Sequence, residues 1–475
     1  MVINLPRVNG YTVERDERFE HKDVGAVFAP LSHVYVAAIM EKLNYDVKFI
    51  DASGFNISGK DVKKGIDAFN PDIIFARISF DCQNEDLSIL EYARGKGVIT
   101  ITRNRIISEV EDIKKDVLKK VDIFLEQDPD LIIEEVLNVL SASIANKEDD
   151  VFKNIPGISY LKDDSIITNS KAKEKDINSL PLPAYHLLDS IEPYGTQFLP
   201  KPFVSIYTTK GCPYGCKFCA YRKTRFLKRD IKSIIKELKY MKEKFHLRSF
   251  LIFDDTFTMD RNHVVAFCEG LMSENLTFLW SCCTRVDKID LELLKIMKGA
   301  GCVEIAFGVE SGAQKILDNC DKRIKTEQII KAAEFCRKAG IKFYCMIVLG
   351  LPGENTKTIE ETRALLKEIM PFYVQFCFVV PFPNTELYSY YDSRNFLRTK
   401  DWSEYCPLNS EPLCRTEELS YEELKVYRKN LYKSFLLDPK FIFQHIRPFD
   451  WKYNLKGLSI FMSKITSLII GKIIR

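Results

Sequence analysis

The sequence predicts an α/β protein with two successive sheets, because short apolar runs alternate with amphipathic helical stretches in two separate parts of the chain. A proline-rich stretch at residues 180–185 lies between these parts and predicts an extended connection. Three closely spaced cysteines follow the first apolar run of the second part. We therefore expect a doubly wound, Rossmann-like parallel sheet, then a partial (β/α)6 TIM barrel, and then a helical C-terminal segment.

The amino-acid composition argues against a nucleic-acid-binding protein and against a secreted, disulfide-bonded one. The 475 residues include 69 lysines and arginines and 66 aspartates and glutamates, so the near-zero net charge gives no reason to expect nucleic-acid binding. The 14 cysteines are mostly isolated within apolar runs, which predicts reduced thiols and a cytoplasmic location. The first residues lack the basic and apolar regions of a signal peptide. Composition thus favours a cytoplasmic multidomain enzyme.

Residues 1–145 are expected to form the Rossmann-like domain. Its predicted strands are the apolar runs at residues 46–51, 71–76, 98–101 and 121–125. Ligands of such sheets bind at the carboxyl ends of the strands. Because no Gly-x-Gly-x-x-Gly pattern follows any of these runs, we do not expect a dinucleotide site.

The rest of the chain divides into three expected regions. Residues 146–195 are rich in polar residues and proline and are expected to be a linker. Residues 196–399 are expected to form the barrel, with strands near residues 203–208, 250–253, 278–281, 303–308, 343–349 and 374–380. Residues 400–475 are expected to be helical.

The cysteines of the second part are Cys212, Cys216 and Cys219, in the spacing C-x3-C-x2-C. Three thiolates can bind three irons of a cubane [4Fe-4S] cluster and leave the fourth iron open to a small molecule. A structural zinc site is the alternative, but it normally has four closed ligands in two pairs, and no second pair follows. The spacing therefore favours the cluster.

Polar residues follow the predicted barrel strands at the end where TIM barrels carry their chemistry. They are Asp254, Arg285, Glu310, Ser311 and Gly350. A carboxylate at Asp254 can accept from an amino group, although an aspartate there can also cap the following helix. Arg285 can grip a carboxylate through its rigid fork or form a surface salt bridge. The glycines around Gly350 let the backbone approach a flat ligand.

The cysteine stretch at residues 211–219, Gly-Cys-Pro-Tyr-Gly-Cys-Lys-Phe-Cys, resembles the cluster loop of radical S-adenosylmethionine (SAM) enzymes. The resemblance implies that Cys212, Cys216 and Cys219 bind a [4Fe-4S] cluster and that Phe218 lies against the adenine of SAM. It also implies that the reduced cluster splits SAM into methionine and a 5′-deoxyadenosyl radical, which abstracts hydrogen from an unactivated carbon. A reductant such as ferredoxin or flavodoxin is then an expected partner.

The same resemblance assigns contacts to the residues at the strand ends. It implies that Asp254 contacts the amino group of SAM, and that Glu310 and Ser311 contact its ribose and methionine portions. Gly350 is expected beside the adenine, and Arg285 is a candidate partner for a carboxylate. Catalytic residues beyond this cofactor-binding set are not identified by the sequence.

A second resemblance covers residues 1–145 and the strap at residues 180–185, which are similar to the cobalamin-binding domain and strap of many radical SAM enzymes. It implies a cobalamin cofactor and methyl transfer. The family's Gly-Gly-x-His turn is missing, and residues 102–105, Thr-Arg-Asn-Arg, replace it. A cobalt-ligating Asp-x-His-x-x-Gly pattern is also absent, and the domain's only histidines, His21 and His33, lie early in it, so we expect no histidine ligand to cobalt. Both histidines are interpreted as solvated loop residues.

The leading hypothesis is a radical SAM enzyme that functionalises an unactivated carbon of a small or lipid-like molecule by cobalamin-dependent methyl transfer. Radical rearrangement, cyclisation or C–C bond formation without cobalamin is an alternative, because the corrin-loop glycines are missing. An iron-sulfur scaffold or sensor is an alternative of another class. Asp254, Arg285 and Glu310 argue against it, since a scaffold has no need to grip SAM.

Residues 451–475 contain five basic and no acidic residues among aromatic and aliphatic ones. Their uncharged runs are too short to span a bilayer, which needs roughly 20 apolar residues. The pattern predicts a basic amphipathic helix that makes peripheral membrane contact, or a terminal helix packed on the barrel.

Overall fold

A computed structural model of the chain describes residues 1–16, 21–23, 26–146, 150–196, 198–383, 385–406 and 408–446. The chain divides into two compact units, Met1–Tyr194 and Gly195–Arg475. Each unit contains one main parallel sheet, so the predicted α/β fold class is confirmed.

The first unit alternates strands and helices along most of its length. Its strands are β1 (Val2–Asn4), β2 (Thr12–Glu14), β3 (His21–Asp23), β4 (Phe49–Asp51), β5 (Ile73–Arg77), β6 (Ile99–Arg103), β7 (Ile123–Leu125), β8 (Ile158–Lys162) and β9 (Ser165–Thr168). Its helices are α1 (Leu31–Lys42), α2 (Gly59–Phe69), α3 (Gln83–Arg94), α4 (Arg105–Ser108), α5 (Glu111–Leu118) and α6 (Pro129–Ala145).

The main sheet of the first unit has seven strands in the order β4-β1-β5-β6-β7-β8-β9. The five strands from β4 to β7 are parallel, as expected for strands joined by helices. Their residues are almost entirely buried, because helices cover both faces of such a sheet. Strand β1 was not among the predicted strands, since a three-residue run carries too little periodicity to detect.

Strands β8 and β9 lie inside the segment that the sequence predicts to be a linker. They form an antiparallel hairpin that extends the sheet from β7. The hairpin turns at Asp163 and Asp164, which both have positive φ, as a two-residue turn between strands requires. The polar composition of this segment therefore reflects an exposed hairpin at a sheet edge in addition to a connection.

The second unit repeats strand and helix six times and then ends in helices. Its strands are β10 (Phe203–Ile206), β11 (Thr209–Lys210), β12 (Leu227–Lys228), β13 (Ser249–Ile252), β14 (Leu279–Thr284), β15 (Cys302–Glu310), β16 (Lys342–Leu349) and β17 (Tyr373–Phe378). Its helices are α7 (Ile231–Phe245), α8 (Arg261–Ser273), α9 (Leu291–Gly299), α10 (Gln314–Asn319), α11 (Thr326–Ala339), α12 (Thr356–Ile369), α13 (Glu386–Ser393), α14 (Tyr421–Leu436) and α15 (Pro439–Ile446).

The six main strands of the second unit are parallel, in the order β10-β13-β14-β15-β16-β17. One face of the sheet packs under helices through an aromatic core, in which Phe267 of α8 lies edge-on against Phe250 and Trp280. Burial of these rings provides much of the driving force for the fold. The predicted six-stranded partial barrel is confirmed, and the carboxyl ends of its strands lie along one edge.

The last strand, β17, leaves backbone groups at the open end of the sheet. Tyr432 of α14 partly covers this edge: its hydroxyl accepts a hydrogen bond of 3.1 Å from the amide of Phe376, and the two rings lie 4.8 Å apart. Covering an edge strand in this way protects it from pairing with other chains.

Candidate active site

The cysteine loop begins where β10 ends, and Asp254 fixes that point. The Asp254 carboxylate accepts hydrogen bonds from the amide of Thr208 (2.7 Å), the hydroxyl of Thr208 (2.5 Å) and the hydroxyl of Thr209 (2.8 Å). Asp254 is fully buried, and burial raises its pKa to about 6. The structure therefore places this carboxylate at the base of the loop, where it anchors the backbone.

A glycine makes the first turn of the loop possible. Gly211 has φ of +87°, and a Cβ at this position would lie 2.0 Å from the carbonyl oxygen of Arg225. Its amide donates to Asp255 at 2.8 Å. The next residue, Cys212, is held by Thr224, whose hydroxyl accepts from the Cys212 amide at 2.7 Å and whose amide donates to the Cys212 carbonyl at 3.0 Å. These bonds fix the direction of the first thiol.

The other two cysteines lie on a tight turn. The Cys219 amide donates to the Cys216 carbonyl at 3.0 Å, and the Lys217 amide donates to the Cys320 carbonyl at 3.0 Å. Cys216 is buried, whereas Cys212 and Cys219 are partly exposed, and all three are free thiols. The loop thus presents three separate donors on a backbone that is hydrogen-bonded at each end.

The loop supplies three thiols, one fewer than the four closed ligands of a structural zinc site. Among the described residues, no three histidine, cysteine, aspartate or glutamate side chains converge closely enough to hold one metal ion. A zinc ion needs its ligands within about 2.0–2.3 Å of one centre, whereas a cubane binds each cysteine through a different iron. The donor set therefore fits a [4Fe-4S] cluster with one open iron.

Cationic side chains surround the buried thiol. Burial raises the pKa of Cys216, while the nearby charges of Lys322 and Arg285 lower it. The Lys322 ammonium lies 5.6 Å from the centre of the Phe218 ring and 2.7 Å from the Glu310 carboxylate. Positive charge beside the loop stabilises thiolates and the anionic cluster they would bind.

Lys322 and Glu310 form a nearly buried ion pair, with side chains 8% and 9% exposed. Glu310 ends β15 with φ of +66°, where the register with β16 shifts, and this strained backbone turns its carboxylate towards Lys322. Gly308 leaves room for the pair, because a Cβ there would lie 2.6 Å from the Glu310 oxygen. A cation and an anion are therefore held together beside Phe218.

Arg285 is buried and already engaged. Its guanidinium donates to Asp287 at 2.9 and 3.2 Å and to the Lys322 carbonyl at 2.9 Å. It also stacks on the Tyr214 ring at 3.8 Å. Arg285 thus connects the cysteine loop, through Tyr214, to the Lys322 segment. Its ion pair with Asp287 is buried, and is not the surface salt bridge that the sequence also allowed.

Ser311 and Gly350 complete the row of strand ends. The Ser311 hydroxyl lies 3.3 Å from that of Thr362 and accepts from the Ala313 amide at 3.2 Å. Gly350 has φ of +88°, and its amide donates to Glu354 at 2.5 Å. Its carbonyl accepts from the Tyr391 hydroxyl. Burial raises the pKa of Glu354 to about 8. Both strand ends are therefore held in defined turns.

The structure brings the cysteines together with Phe218, Arg285 and Glu310, while it uses Asp254 to support the loop. The sequence did not single out Lys322, which follows a helix and belongs to no motif, or Tyr214, which is an unassigned position within the cysteine loop. The two were missed because their roles depend on contacts with distant residues.

The carboxyl edge of the first sheet is the implied cobalamin site. Arg103 and Asn104 occupy the position of the missing glycines, and both are buried. Arg103 donates to the Leu125 carbonyl at 3.0 Å, and Asn104 donates to the Ile78 carbonyl at 2.9 Å and caps α4 through Ile107. Because these side chains fill the space that glycines would leave open, residues 102–105 do not fit a close approach to a corrin.

His33 is not the solvated loop residue expected from sequence, and that interpretation was wrong. It lies in α1, is fully buried, and its Nε2 accepts from the Arg77 amide at 3.3 Å. The apolar residues around it in sequence form the buried face of α1, which carries the histidine into the core. Burial lowers the pKa of His33, so the ring is neutral.

Other polar residues at this edge bind one another. Arg15 donates to both Asp86 oxygens at 2.9 and 2.6 Å, and both side chains are essentially unexposed. Asp51 accepts from Asn4 at 2.7 Å and from the Tyr194 hydroxyl at 2.6 Å. Much of the carboxyl edge of the first sheet is therefore a buried network of paired side chains, although His33 Nδ1 and Arg103 Nε make no hydrogen bond within the described residues.

Known proteins are similar to this chain over both of its units. The sequence profile of the Radical SAM superfamily matches residues 206–366. An uncharacterised methyltransferase of Pyrococcus horikoshii is 26% identical over 92% of this chain and 94% of its own length. An anaerobic magnesium-protoporphyrin IX monomethyl ester cyclase of Cereibacter sphaeroides is 24% identical over 87% of this chain and 68% of its own length.

A solved structure extends the likeness to nearly the whole chain. A cobalamin-dependent S-adenosylmethionine radical enzyme, OxsB, with aqua-cobalamin and SAM bound, covers 99% of this chain and 71% of its own with a TM-score of 0.74 and 16% identity. This likeness establishes the fold. Within the described part of the chain, no helix has both the length and the apolar character needed to cross a membrane.

Proposed function

We propose that this chain, whose residues 206–366 match the Radical SAM superfamily, binds SAM at an open iron of a [4Fe-4S] cluster and functionalises an unactivated carbon of a small or lipid-like molecule. The observation that carries this proposal is the grouping of Cys216, Phe218, Lys322 and Glu310 beside one loop. Methyl transfer is the proposed outcome, since the Pyrococcus relative is named a methyltransferase.

The chain's own residues bind and orient the cofactors. When bound and reduced, the cluster supplies the electron that splits SAM into methionine and a 5′-deoxyadenosyl radical. Cys212, Cys216 and Cys219 are the proposed iron ligands, and Asp254 holds the start of their loop through Thr208. A loop fixed in this way keeps the open iron at a constant position relative to the strand ends.

The remaining strand-end residues are proposed to bind SAM. Glu310 offers a carboxylate to the amino group or ribose, and Lys322 holds it in place through an ion pair of 2.7 Å. The Phe218 ring and the backbone at Gly350 are proposed to enclose the adenine, and Ser311 to lie beside the ribose. Arg285 is proposed to act through Tyr214 and the Lys322 segment, because its guanidinium is already paired with Asp287.

Anaerobic reconstitution of the full chain tests this proposal. We expect about four irons per chain and SAM-dependent formation of 5′-deoxyadenosine. Replacement of Cys212, Cys216 and Cys219 by alanine should abolish both. Zinc in place of iron, or undiminished SAM cleavage by the triple variant, would overturn the assignment, and iron binding without SAM cleavage would favour a scaffold or sensor.

The reaction outcome needs a separate measurement. SAM carrying a trideuterated methyl group transfers a mass shift of three to the product of a methyltransferase, and none to the product of a cyclisation or rearrangement. The second outcome remains a candidate, because a cyclase is among the relatives and residues 102–105 lack the glycines that let the backbone approach a corrin closely. Recovery of an unlabelled product would select it.

Cobalamin use is proposed on the fold of the first unit and on its relatives. Titration of the full chain with hydroxocobalamin should show weak binding in the visible spectrum, without a histidine ligand to cobalt. Arg103→Gly combined with Asn104→Gly should tighten it by opening the backbone. No spectral change in either protein would reject cobalamin use and leave radical chemistry independent of it.

Peripheral membrane contact is proposed for the C-terminal region in a cytoplasmic protein. Residues 451–475, on which the prediction rests, lie outside the described residues. Just before them, Leu437 and Phe443 are exposed by 52% and 62%, and large apolar side chains next to a basic segment suit a lipid interface. Deletion of residues 451–475 should weaken sedimentation with vesicles containing phosphatidylserine and leave SAM cleavage intact; loss of the barrel instead would show a packed helix.

A further inference from the structure

The two faces of the second sheet differ in what covers them. Residues in register on parallel strands point to the same side, so Phe250 and Trp280 share the face that packs on Phe267 of α8. The opposite face is the inner face of the partial barrel. It carries alternate residues of each strand, and its upper end reaches the strand ends that form the candidate SAM site.

The inner face is accessible along β16 and β17. Six of its residues are partly exposed while their neighbours in the strands are buried. We call this set the neutral wall: Tyr344, Met346, Val348, Tyr373, Gln375 and Cys377. On the first strands of the sheet, the inner residues Ser205, Leu251 and Ser281 are buried. Open space therefore lies against the neutral wall.

The wall has three levels, set by the register of the two strands. Tyr344 pairs with Tyr373 at the lower level, where their rings lie 6.4 Å apart at 64°. Met346 pairs with Gln375 at the middle level. The upper level ends directly before Gly350, the turn proposed to hold the adenine. A molecule on this wall would extend from an aromatic floor towards SAM.

The charged groups near the wall are engaged elsewhere or stand at its lower end. Lys342 begins the same face of β16 below Tyr344, and its ammonium lies 4.5 Å from the centre of the Phe372 ring. Glu310 is paired with Lys322. Arg428, whose charge acts on Cys377, donates at 2.8 Å to the carbonyl oxygens of two residues in the loop before α14. At the lower end of the face, burial raises the pKa of Glu304 to about 7. The wall therefore offers no ready partner for a strongly charged substrate group.

One polar group on the wall is available. The side-chain amide of Gln375 makes no hydrogen bond to any residue that the structure describes, although it lies at the middle level between apolar neighbours. A primary amide can donate and accept at once, so it can pair with a hydroxyl, carbonyl or ring nitrogen. Gln375 is partly exposed on the inner face, so its amide can hydrogen-bond a ligand that contacts the wall.

Resting on the function proposed above, we propose that the neutral wall binds the substrate and that the substrate is an uncharged molecule with an apolar body, oriented by one polar group on the Gln375 amide. Burying a charge without a partner is far more costly than burying a neutral group. We therefore expect the neutral wall to discriminate among substrates mainly by their charge, and to a smaller degree by the position of one hydrogen-bonding group.

Matched probes test this inference on the reconstituted, SAM-loaded full chain. Binding is measured by calorimetry for geraniol against geranyl phosphate and for indole against indole-3-carboxylate. The neutral member of each pair should bind at least about tenfold more tightly, a difference of about 1.4 kcal/mol. Equal or tighter binding of the anionic members, or no binding of any probe, overturns the inference.

Two variants locate the site. Met346→Glu should weaken binding of the neutral probes more than tenfold, because it places a carboxylate on the wall. Gln375→Leu should weaken geraniol and leave a hydrocarbon of the same length unaffected. Lys338→Glu on exposed α11 is the control and should change neither. Unchanged probe binding in Met346→Glu contradicts the proposed location.

SAM binding and iron content, measured on the same samples, separate the two proposals. If wild-type protein fails to bind SAM, the proposed function fails. If SAM binds and the charge preference is absent, only the neutral wall is refuted.

Discussion

The two parallel sheets of this protein use their carboxyl edges in opposite ways. In the first unit, buried polar side chains at this edge bind one another, as Arg15 does with Asp86 and Asn4 with Asp51. In the second unit, Asp254 holds a loop that presents three thiols, and the inner face beyond it stays partly open. Both edges concentrate polar residues, yet only the second directs them towards a candidate cofactor.

This difference shows that polar residues at strand ends are not sufficient evidence for a ligand site. A network whose donors and acceptors pair internally rigidifies a domain, whereas a site must leave some groups for the ligand. In the first edge, most polar side chains pair with residues far away in sequence, as Arg15 does with Asp86. In the second, the paired residues support a loop whose thiols have no disulfide partner.

The largest expected effect comes from the turn of the cysteine loop. Gly211→Ala should abolish cluster binding, because its Cβ would overlap the Arg225 carbonyl and alanine disfavours φ of +87°. Iron analysis after anaerobic reconstitution should fall from about four per chain to near zero.

Gly10→Ala in the first unit is the matched control for this substitution. Gly10 has φ of +80°, but a Cβ added there would meet no atom within 4 Å. Gly10→Ala should lower the free energy of unfolding by about 1 kcal/mol, through the backbone conformation alone. Its iron content should equal that of the wild type. Equal iron loss in both variants would show that positive φ, and not the close contact, decides the effect.

The next largest effect is expected for Arg15→Leu, which breaks a buried ion pair at the carboxyl edge of the first sheet. Arg15→Leu leaves Asp86 buried without its cation and should destabilise this unit by about 3–5 kcal/mol. Hydrogen exchange should lose protection in β5, while protection in β15 and iron content stay unchanged. The double variant Arg15→Leu with Asp86→Leu should recover part of the loss.

An unchanged exchange pattern in Arg15→Leu would contradict the view that this edge is held by its charge pairs. Loss of protection in both units together would show that they do not open separately.

How far the sequence predicts this molecule depends on the range of the interactions. The six strands of the second unit and the cysteine loop follow from local periodicity and spacing, and the structure confirms the strands. Lys322 was missed because its role arises from Glu310, which lies on another element. The β8–β9 hairpin was assigned to a linker because its residues are polar on one side and its turn, Asp163-Asp164, lacks glycine.

Asp254 gives a pH-dependent test of the second edge. Burial raises its pKa to about 6, above the value of about 3.9 for an unfolded chain. The folded state therefore binds this proton more tightly, so its stabilising contribution is full below pH 4 and is lost as the pH rises to 6. Because the two pKa values differ by about two units, the contribution of Asp254 to the free energy of unfolding is at most about 3 kcal/mol.

The comparison with Asp254→Asn isolates this titration, because asparagine does not ionise. Urea unfolding followed by tryptophan fluorescence should show the stability of wild type relative to the variant falling between pH 4 and 6. The difference should then stay constant from pH 7 to 8. A difference that rises with pH would mean that the charged carboxylate is the favoured form.

The smallest expected effect concerns Lys322, which we predict to hold the Glu310 side chain in position to bind SAM. Lys322→Met removes the cation 2.7 Å from the Glu310 carboxylate, so Glu310 loses the ion pair that holds its side chain in position for the SAM amino group. Calorimetry at pH 7.5 should show SAM binding weakened by about tenfold, or about 1.4 kcal/mol, with iron content unchanged. Lys322→Arg keeps the charge and should bind within about threefold of wild type, while Lys325→Met on the exposed surface should have no effect. Tighter SAM binding in Lys322→Met would show that the ammonium of Lys322 occupies the place of the SAM amino group and competes with it. The Lys322–Glu310 pair would then be an internal ion pair of the second edge, as Arg15 with Asp86 is of the first.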